Sequence, residues 1–293
     1  MPTKRMIWIL VSIVLFPLIT VAQEFDTAKI DQALGRSGQK IGDVYRVGFP
    51  RTDLQVAVAG VAIKPGLALG SWAAFSGNDP SGSVMGDLVL LESEINPVMS
   101  KLRAAGFEIT AVHNHLLNET PQVLYMHYLA HGDTAELAKS LRAALAASKT
   151  PLGAPAAHAP APASPPAFVK TVEDTLGRKG RFNGGVLAFG IPRAETITEG
   201  GMALTPPQGV AESINFEETT PGQVATTGDF VLQAEEVNPV ISALEEHSIQ
   251  LTALHSHMLT EQPRLFFMHF WATGNAESVA QGIKAALSHV ATK

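Results

Sequence analysis

Four of the chain's ten histidines fall inside "AVHNHLLNETPQVLYMHYLAHG", Ala111 to Gly132, as His113, His115, His127 and His131. The stretch "ALHSHMLTEQPRLFFMHFWATG", Ala253 to Gly274, repeats the first three of them as His255, His257 and His269. Neutral imidazoles are ligands for divalent metals, and three of them with one position left open is the pattern of catalytic zinc. Iron, copper, nickel and manganese fit the same donors less selectively. A metal held in this way activates water or polarises a carbonyl, and a nearby carboxylate that moves a proton completes the chemistry. Glu119 and Glu261, matched two residues before a shared proline, are the candidates for that base. A hydrogen-bonded polar cluster and metal-free acid/base chemistry are the competing readings of the same histidines.

The two histidine sets belong to a duplication. The differences 255 − 113, 257 − 115 and 269 − 127 all equal 142. At that offset "LGRSG" meets "LGRKG", "GFPR" meets "GIPR", and "GDLVLLESEINPV" meets "GDFVLQAEEVNPV". From Gly86 to Gly132 the ungapped alignment holds 21 identities in 47 positions, and six of the ten histidines stand in matched columns. Between the copies, "TPLGAPAAHAPAPASPPA" is too rich in proline and alanine to form a core and reads as a semi-rigid linker. The organisation is therefore a first domain at 24–149, a linker at 150–167 and a second domain at 168–293. The period exceeds that of solenoids, so these are tandem domains.

Positioning the histidines falls to strands and the helices that back them. "FEITAVHNH" and "QVLYMHYLA" read as strands, as do "VYRVGF", "LQVAVAGVAI" and "SWAAF" upstream. On a strand, His113 and His115 share a face, and an antiparallel neighbour brings His127 to within about 5 Å of them across the ladder. Asn96-Pro97 and Asn238-Pro239 place an N-cap residue before the favoured first helical proline, so helices are predicted to start there. Asp133 with Glu136 predicts the start of a second amphipathic helix. The expected fold class is α+β: two tandem homologous domains, each an antiparallel or mixed sheet with flanking helices, packed on each other. Other matched residues have plain structural explanations. Glu94 and Glu236 suit a helix N-terminus, Asp87 and Asp229 suit a turn, and Arg51 and Arg193 follow proline in a turn where an anion could bind.

Composition narrows the field. With 46% hydrophobic and 16% charged residues the chain can bury a core. A net charge of −6 without a basic run beyond the first residues argues against nucleic acid as a partner. The N-terminus, "MPTKRMIWILVSIVLFPLITVAQEFD", has a basic start, a short apolar run and small residues before Gln23. It reads as a signal peptide over 1–22, leaving no stable membrane span and an exported protein, periplasmic or extracellular. Cysteine is absent, so disulfides, thiolate ligands and lipidated cysteine are excluded, and any metal rests on histidine and carboxylate.

"GDLVLLESEINPVMSKL", "TAVHNHLL" and "YMHYLAHGD" resemble the LppY/LpqO family, a domain of unknown function named after mycobacterial lipoproteins. The resemblance spans both halves and implies an envelope location without a reaction. The His-x-His…His arrangement alone is similar to the zinc ligands of acetolactate decarboxylase and a related plant-and-prokaryote conserved domain, which implies His113, His115 and His127 as one ligand set and His255, His257 and His269 as the other. The function expected is that of a protein binding a divalent metal, zinc by preference, at a His-x-His…His cluster in each repeat. It would act as a metal-dependent hydrolase or lyase, or alternatively as a non-catalytic metal- or ligand-binding module of the cell envelope. The first copy carries the fuller motif, so His115→Ala is expected to harm function more than His257→Ala.

Overall fold

The β-rich halves of the sequence fold as two sheets that face each other. The computed structural model describes residues 23–154 and 164–293. The signal segment expected at 1–22 and the middle of the linker lie outside the described residues. The first repeat runs α1 (Thr27–Leu34), β1 (Gln39–Ile41), β2 (Val44–Pro50), β3 (Gly70–Ser76), β4 (Gly82–Leu91), α2 (Glu92–Ala104), β5 (Glu108–His113), β6 (Val123–Gly132) and α3 (Thr134–Leu145). The second runs α4 (Ala167–Leu176), β7 (Arg181–Asn183), β8 (Val186–Pro192), β9 (Ala211–Thr220), β10 (Gln223–Leu232), α5 (Ala234–Glu246), β11 (Gln250–His255), β12 (Phe266–Asn275) and α6 (Ala276–Leu287). Each set of strands makes one six-stranded sheet, in the order β1-β2-β3-β4-β6-β5 and β7-β8-β9-β10-β12-β11. Every pairing is antiparallel. This is the expected α+β class, with the sheets purely antiparallel.

Alternation along the strands sorts each sheet into two apolar faces. In the first sheet Val47, Phe75, Leu88, Leu90, Met126 and Tyr128 point to the helices and form a core with Ile30, Val98 and Leu141. The alternate residues, among them Val89 and Tyr125, meet Val186, Ala225 and Trp271 of the second repeat. Ala74, Met85 and Leu129 likewise meet Val231, Met258 and Phe267. Both faces are covered, by helices on one side and by the other repeat on the other, which is why β4 is buried over nine consecutive residues. Cross-braces link the layers: Asn215 Nδ2 donates to the Leu67 carbonyl at 3.1 Å, and the Lys64 amide donates to Glu217 Oε2 at 2.9 Å. The result is four layers, helices outside and two sheets within.

Three local expectations change. The helices expected to begin at the Asn-Pro pairs begin earlier, after Leu91 and Gln233, leaving Pro97 and Pro239 inside them. The start is fixed by Glu94, whose Oε2 accepts from the Leu91 amide at 2.9 Å, and by Glu236, which does the same for Gln233 at 2.7 Å. A proline so near the start costs one backbone hydrogen bond without ending the helix. Arg51 and Arg193 are not free to bind an anion. Arg51 is fully buried, bound to Glu94 at 2.7 Å and Asp53 at 2.9 Å, and Arg193 is paired in the same way with Glu236 and Glu195. Finally, "LQVAVAGVAI" forms only the two-residue strands Ala57–Val58 and Val61–Ala62, because it covers the inner face as a loop instead of joining the sheet. The α3 start agrees with its prediction: Asp133 accepts from the Ala135 and Glu136 amides.

Candidate functional site

The histidines stand on the inner faces: His113 and His255 end their strands, and His127 and His269 lie in the middle of the neighbouring ones. His113 closes β5 opposite Tyr125 of β6, and His127 lies on β6 between Ala111 of β5 and Asp87 of β4. His115 sits just past the end of β5, in the loop, yet its ring stays 4.9 Å from that of His113. His269 faces Asp229 and Ala253 by the same register in the second sheet. The loop that carries His115 is held from across the interface: Thr252 Oγ1 donates to the His115 carbonyl at 2.6 Å, and Asn114 Nδ2 donates to the Thr252 carbonyl at 3.1 Å.

The two sheets bring all six imidazoles into one chamber. Ring centroids of His113 and His255 are 3.7 Å apart, those of His115 and His269 3.6 Å, and those of His127 and His257 3.8 Å. Exchanging the repeats maps the second of these pairs onto the third, so the arrangement has approximate two-fold symmetry. Two groups of four have ligand atoms all within 4.8 Å of one another: His113, His115, His127 with His257, and His255, His257, His269 with His113. Each repeat's own trio is thus brought together as its sequence suggested, and each is joined by one histidine of the other repeat.

Protonation and tautomer suit metal ligation. Burial pushes the His113 imidazole down to about 4 and that of His255 to about 3, and it holds the other four well below their ordinary value. All six are neutral near pH 7, the form that binds a metal. The His113 Nδ1 contacts the Asn114 carbonyl at 3.2 Å, and the His269 Nδ1 contacts the Gly228 carbonyl at 2.9 Å. A proton on Nδ1 leaves Nε2 with its lone pair facing inward. Among the described residues, eleven buried side-chain nitrogen and oxygen atoms have no partner, and seven belong to this cluster. They are Nε2 of His113, His115, His127 and His269, Nδ1 of His255, and Oδ1 of Asp87 and Asp229. Buried polar atoms are seldom left without a hydrogen-bond partner, and here five of the seven are imidazole nitrogens of the two groups of four.

The carboxylates beside the histidines are Asp87 and Asp229. Asp87 lies 3.9 Å from His115 and 3.8 Å from His127, and Asp229 lies 3.9 Å from His257 and 3.3 Å from His269. Burial raises the Asp87 carboxyl to about 8 and that of Asp229 well above its usual range. Glu119 and Glu261, expected as the bases, are placed elsewhere. Glu119 belongs to a short strand paired with Val58, and the Glu261 carboxylate is taken by the Leu265 amide and by Arg264. Among the described residues neither pairs with a histidine or lines the chamber, because the loop turns away from the sheet to cover apolar side chains. The signal for the aspartates was present in the sequence as the repeated Gly-Asp at 86–87 and 228–229. What it lacked was the neighbouring strand that sets them opposite His127 and His269.

Next to the histidines opens a cavity of about 760 Å³. Four of the imidazoles (His115, His127, His257 and His269) and both aspartates form part of its wall, with Arg46 and Trp72 farther along.

A family described as Domain of Unknown Function (DUF1259) matches the chain twice, over residues 28–147 and 170–289. This corrects the family expected from the motifs, since the match is to DUF1259 and not to LppY/LpqO, while the two-copy architecture stands. No curated protein matches. Among solved structures, a trimeric bacterial microcompartment shell protein, PduB, is similar with 11% identity over 87% of this chain and 89% of its own, at a TM-score of 0.21. EtuB from Clostridium kluyveri is similar with 10% identity over 86% and 90%, at a TM-score of 0.20. Likenesses this slight carry no argument.

Proposed function

We propose, for a chain that belongs to the DUF1259 family in both of its halves, that it binds divalent metal in the chamber its repeats share and works there as a hydrolase or lyase. The observation that carries this reading is the pair of four-histidine groups with ligand atoms within 4.8 Å of one another, in which five buried imidazole nitrogens have no hydrogen-bond partner. Zinc is the ion that a neutral, sulfur-free histidine set fits best here. Tetrahedral zinc with metal–nitrogen distances of about 2.0–2.1 Å sets its donors about 3.4 Å apart, so the imidazoles, whose ligand atoms lie within 4.8 Å of one another, would draw inward around the ion. The trios allow one ion each, with His113 and His257 within reach of both.

A bound metal would supply a polarised carbonyl or an activated water. The chain's own residues do the rest. The carbonyls of Asn114 and Gly228 fix the tautomers of His113 and His269. Asp87 and Asp229, rather than Glu119 and Glu261, stand where a proton would be held beside the imidazoles. A nearby dication would return both carboxyls toward their charged form, able to accept that proton. One observation favours a second reading, a non-catalytic metal-binding module: each trio has a fourth histidine at hand, and a four-histidine shell leaves no open position. Export of the protein, periplasmic or extracellular, is part of the proposal and rests on the sequence of residues 1–22. No helix among the described residues is long and apolar enough to cross a membrane.

Elemental analysis of protein purified without an affinity tag is the direct test. At least one ion per chain, lost together with any hydrolytic or lyase activity on chelation, supports the reading. Metal present in a protein whose ions exchange no water selects the binding module. Far less than one ion per chain after attempted reconstitution overturns both.

A further inference from the structure

One departure from the two-fold likeness of the chamber places a cation in its wall. Arg46 on β2 points into the cavity from the first repeat, and the matching residue of the second repeat is Ala188. Trp72, on the neighbouring strand, lies under the guanidinium at 4.0 Å, while the residue at its register in the second sheet is Ser213. One N–H of Arg46 donates to the Pro207 carbonyl at 2.6 Å, and among the described residues the guanidinium makes no other hydrogen bond and no ion pair. Buried arginines are ordinarily paired with a carboxylate, as Arg51 and Arg193 are in this same molecule. Arg46, half-buried in the cavity wall, lacks such a partner, as does Arg36, which instead lies over Phe49 and donates to the Pro151 carbonyl. Desolvation draws the Arg46 pKa down to about 10, which still leaves it charged near neutrality.

Register sets the distance from this charge to the histidines. His127 pairs with Asp87, Asp87 with Trp72, and Trp72 with Gly48, so Arg46 stands three strands from His127 along the same face. Strand spacing makes that about 14 Å to Gly48 and, two residues farther along the strand, about 16 Å to Arg46 between backbones, and an arginine side chain reaching inward leaves room for an organic molecule of a few carbons. The wall carboxyls are Asp43, Asp87, Glu212 and Asp229; Asp87 and Asp229 are turned to the histidines, Glu212 accepts from the Val231 amide, and none forms an ion pair with Arg46.

Building on the metal reading of the chamber, we propose that Arg46, held over the ring of Trp72, is an oxyanion subsite that holds the carboxylate or phosphate group of a small organic acid whose opposite end faces the histidines. A planar guanidinium with free N–H groups offers such a group two parallel hydrogen bonds, and the tryptophan fixes its plane. The substrate class is thereby a small acid, with an oxygen function at the metal end.

Calorimetric titration of succinate, inorganic phosphate and neutral succinamide into metal-free and zinc-loaded protein tests this. Succinate or phosphate should bind, succinamide should not, and the tighter of the two anions identifies the acidic group. Arg46→Gln should weaken the anion by about tenfold to a hundredfold, the worth of a charged hydrogen bond, with zinc content unchanged. Independently of any variant, arginine-selective modification of Arg46 by phenylglyoxal, read by peptide mass, should be slowed by the anion and not by succinamide. Failure of both anions to bind, equal binding of succinamide, an Arg46→Gln protein that binds as wild type, or unprotected Arg46 overturns the subsite. Anion binding that needs Arg46 in a protein that takes up no zinc would overturn the metal reading alone. Zinc uptake without any anion effect would overturn the subsite alone.

Discussion

At the scale of single residues, the six histidines are not equivalent. His257 and His113 lie within ligand reach of both groups of four, whereas His115 belongs to one. The motif of the first copy had suggested that His115→Ala would do more harm than His257→Ala; the geometry reorders that expectation. His257→Ala and His113→Ala should each lower metal content and any activity more than His115→Ala, and elemental analysis of the three variants checks the order. Glu212 offers a separate test. It stands where the first repeat has Ser71, each accepting from a strand amide, that of Val231 at 2.7 Å and that of Val89 at 2.8 Å. Burial holds the Glu212 carboxyl well above its ordinary value of 4.5. A raised folded-state value means that its contribution is full below pH 4.5 and lost as pH rises through the folded value. Glu212→Gln should therefore melt near the wild-type temperature at acid pH and above it at pH 8. A gap that does not widen with pH would show that the fold accommodates the charged carboxylate.

The elements owe their positions to features that a linear reading catches unevenly. The 142-residue offset, the strands around the histidines and the Asp133 cap were all legible, because each is written in local spacing. The start of α2 was not, because Asn96-Pro97 looks like a cap while Glu94, bonded to Arg51 just past β2, sets the boundary through a contact 43 residues away in sequence. The Gly-Asp pair was visible without its meaning. At Gly228 a Cβ would lie 1.9 Å from the Ser213 carbonyl oxygen, so β9 and β10 approach as closely as they do only because no side chain intervenes. The Gly228 carbonyl in turn receives His269 Nδ1. Gly228→Ala should cost about 1–3 kcal/mol, typical of overpacking in a core, and should lower metal affinity by turning His269. Thermal melting with a parallel zinc titration reads both, and an unchanged affinity would separate strand spacing from the ligand.

For the whole molecule, the decisive relation is between the repeats, and no local pattern encodes it. Sequence predicted one histidine trio per domain and could not show that inner faces 142 residues apart would merge them. Either half produced alone would expose Val89, Tyr125 and Met85, or Val231, Phe267 and Trp271, to water. Residues 24–149 by themselves should therefore aggregate or dimerise, and sedimentation compared with the intact chain checks this. A soluble monomer with a full complement of metal would show that the repeats assemble their sites independently. In the intact protein, chelation should lower the melting temperature. An ion bound only to the folded state, at a hundredfold excess over its Kd, adds about 2.7 kcal/mol. The triple substitution of His113, His115 and His127 to alanine should remove much of that sensitivity.

The break in likeness at Arg46 and Ala188 has a stereochemical consequence. Two identical repeats would build a chamber whose ends are interchangeable, and a symmetric diacid entering it would meet the same surroundings either way round. With a guanidinium at one end only, the two carboxylates of such a molecule become distinguishable, and so do the paired hydrogens on its central carbon. A duplicated chain can therefore fix which end of an unsymmetrical acid meets the histidines, where an exactly two-fold chamber would take it either way round, and the position of reaction on the half-amide of a diacid would reveal the choice.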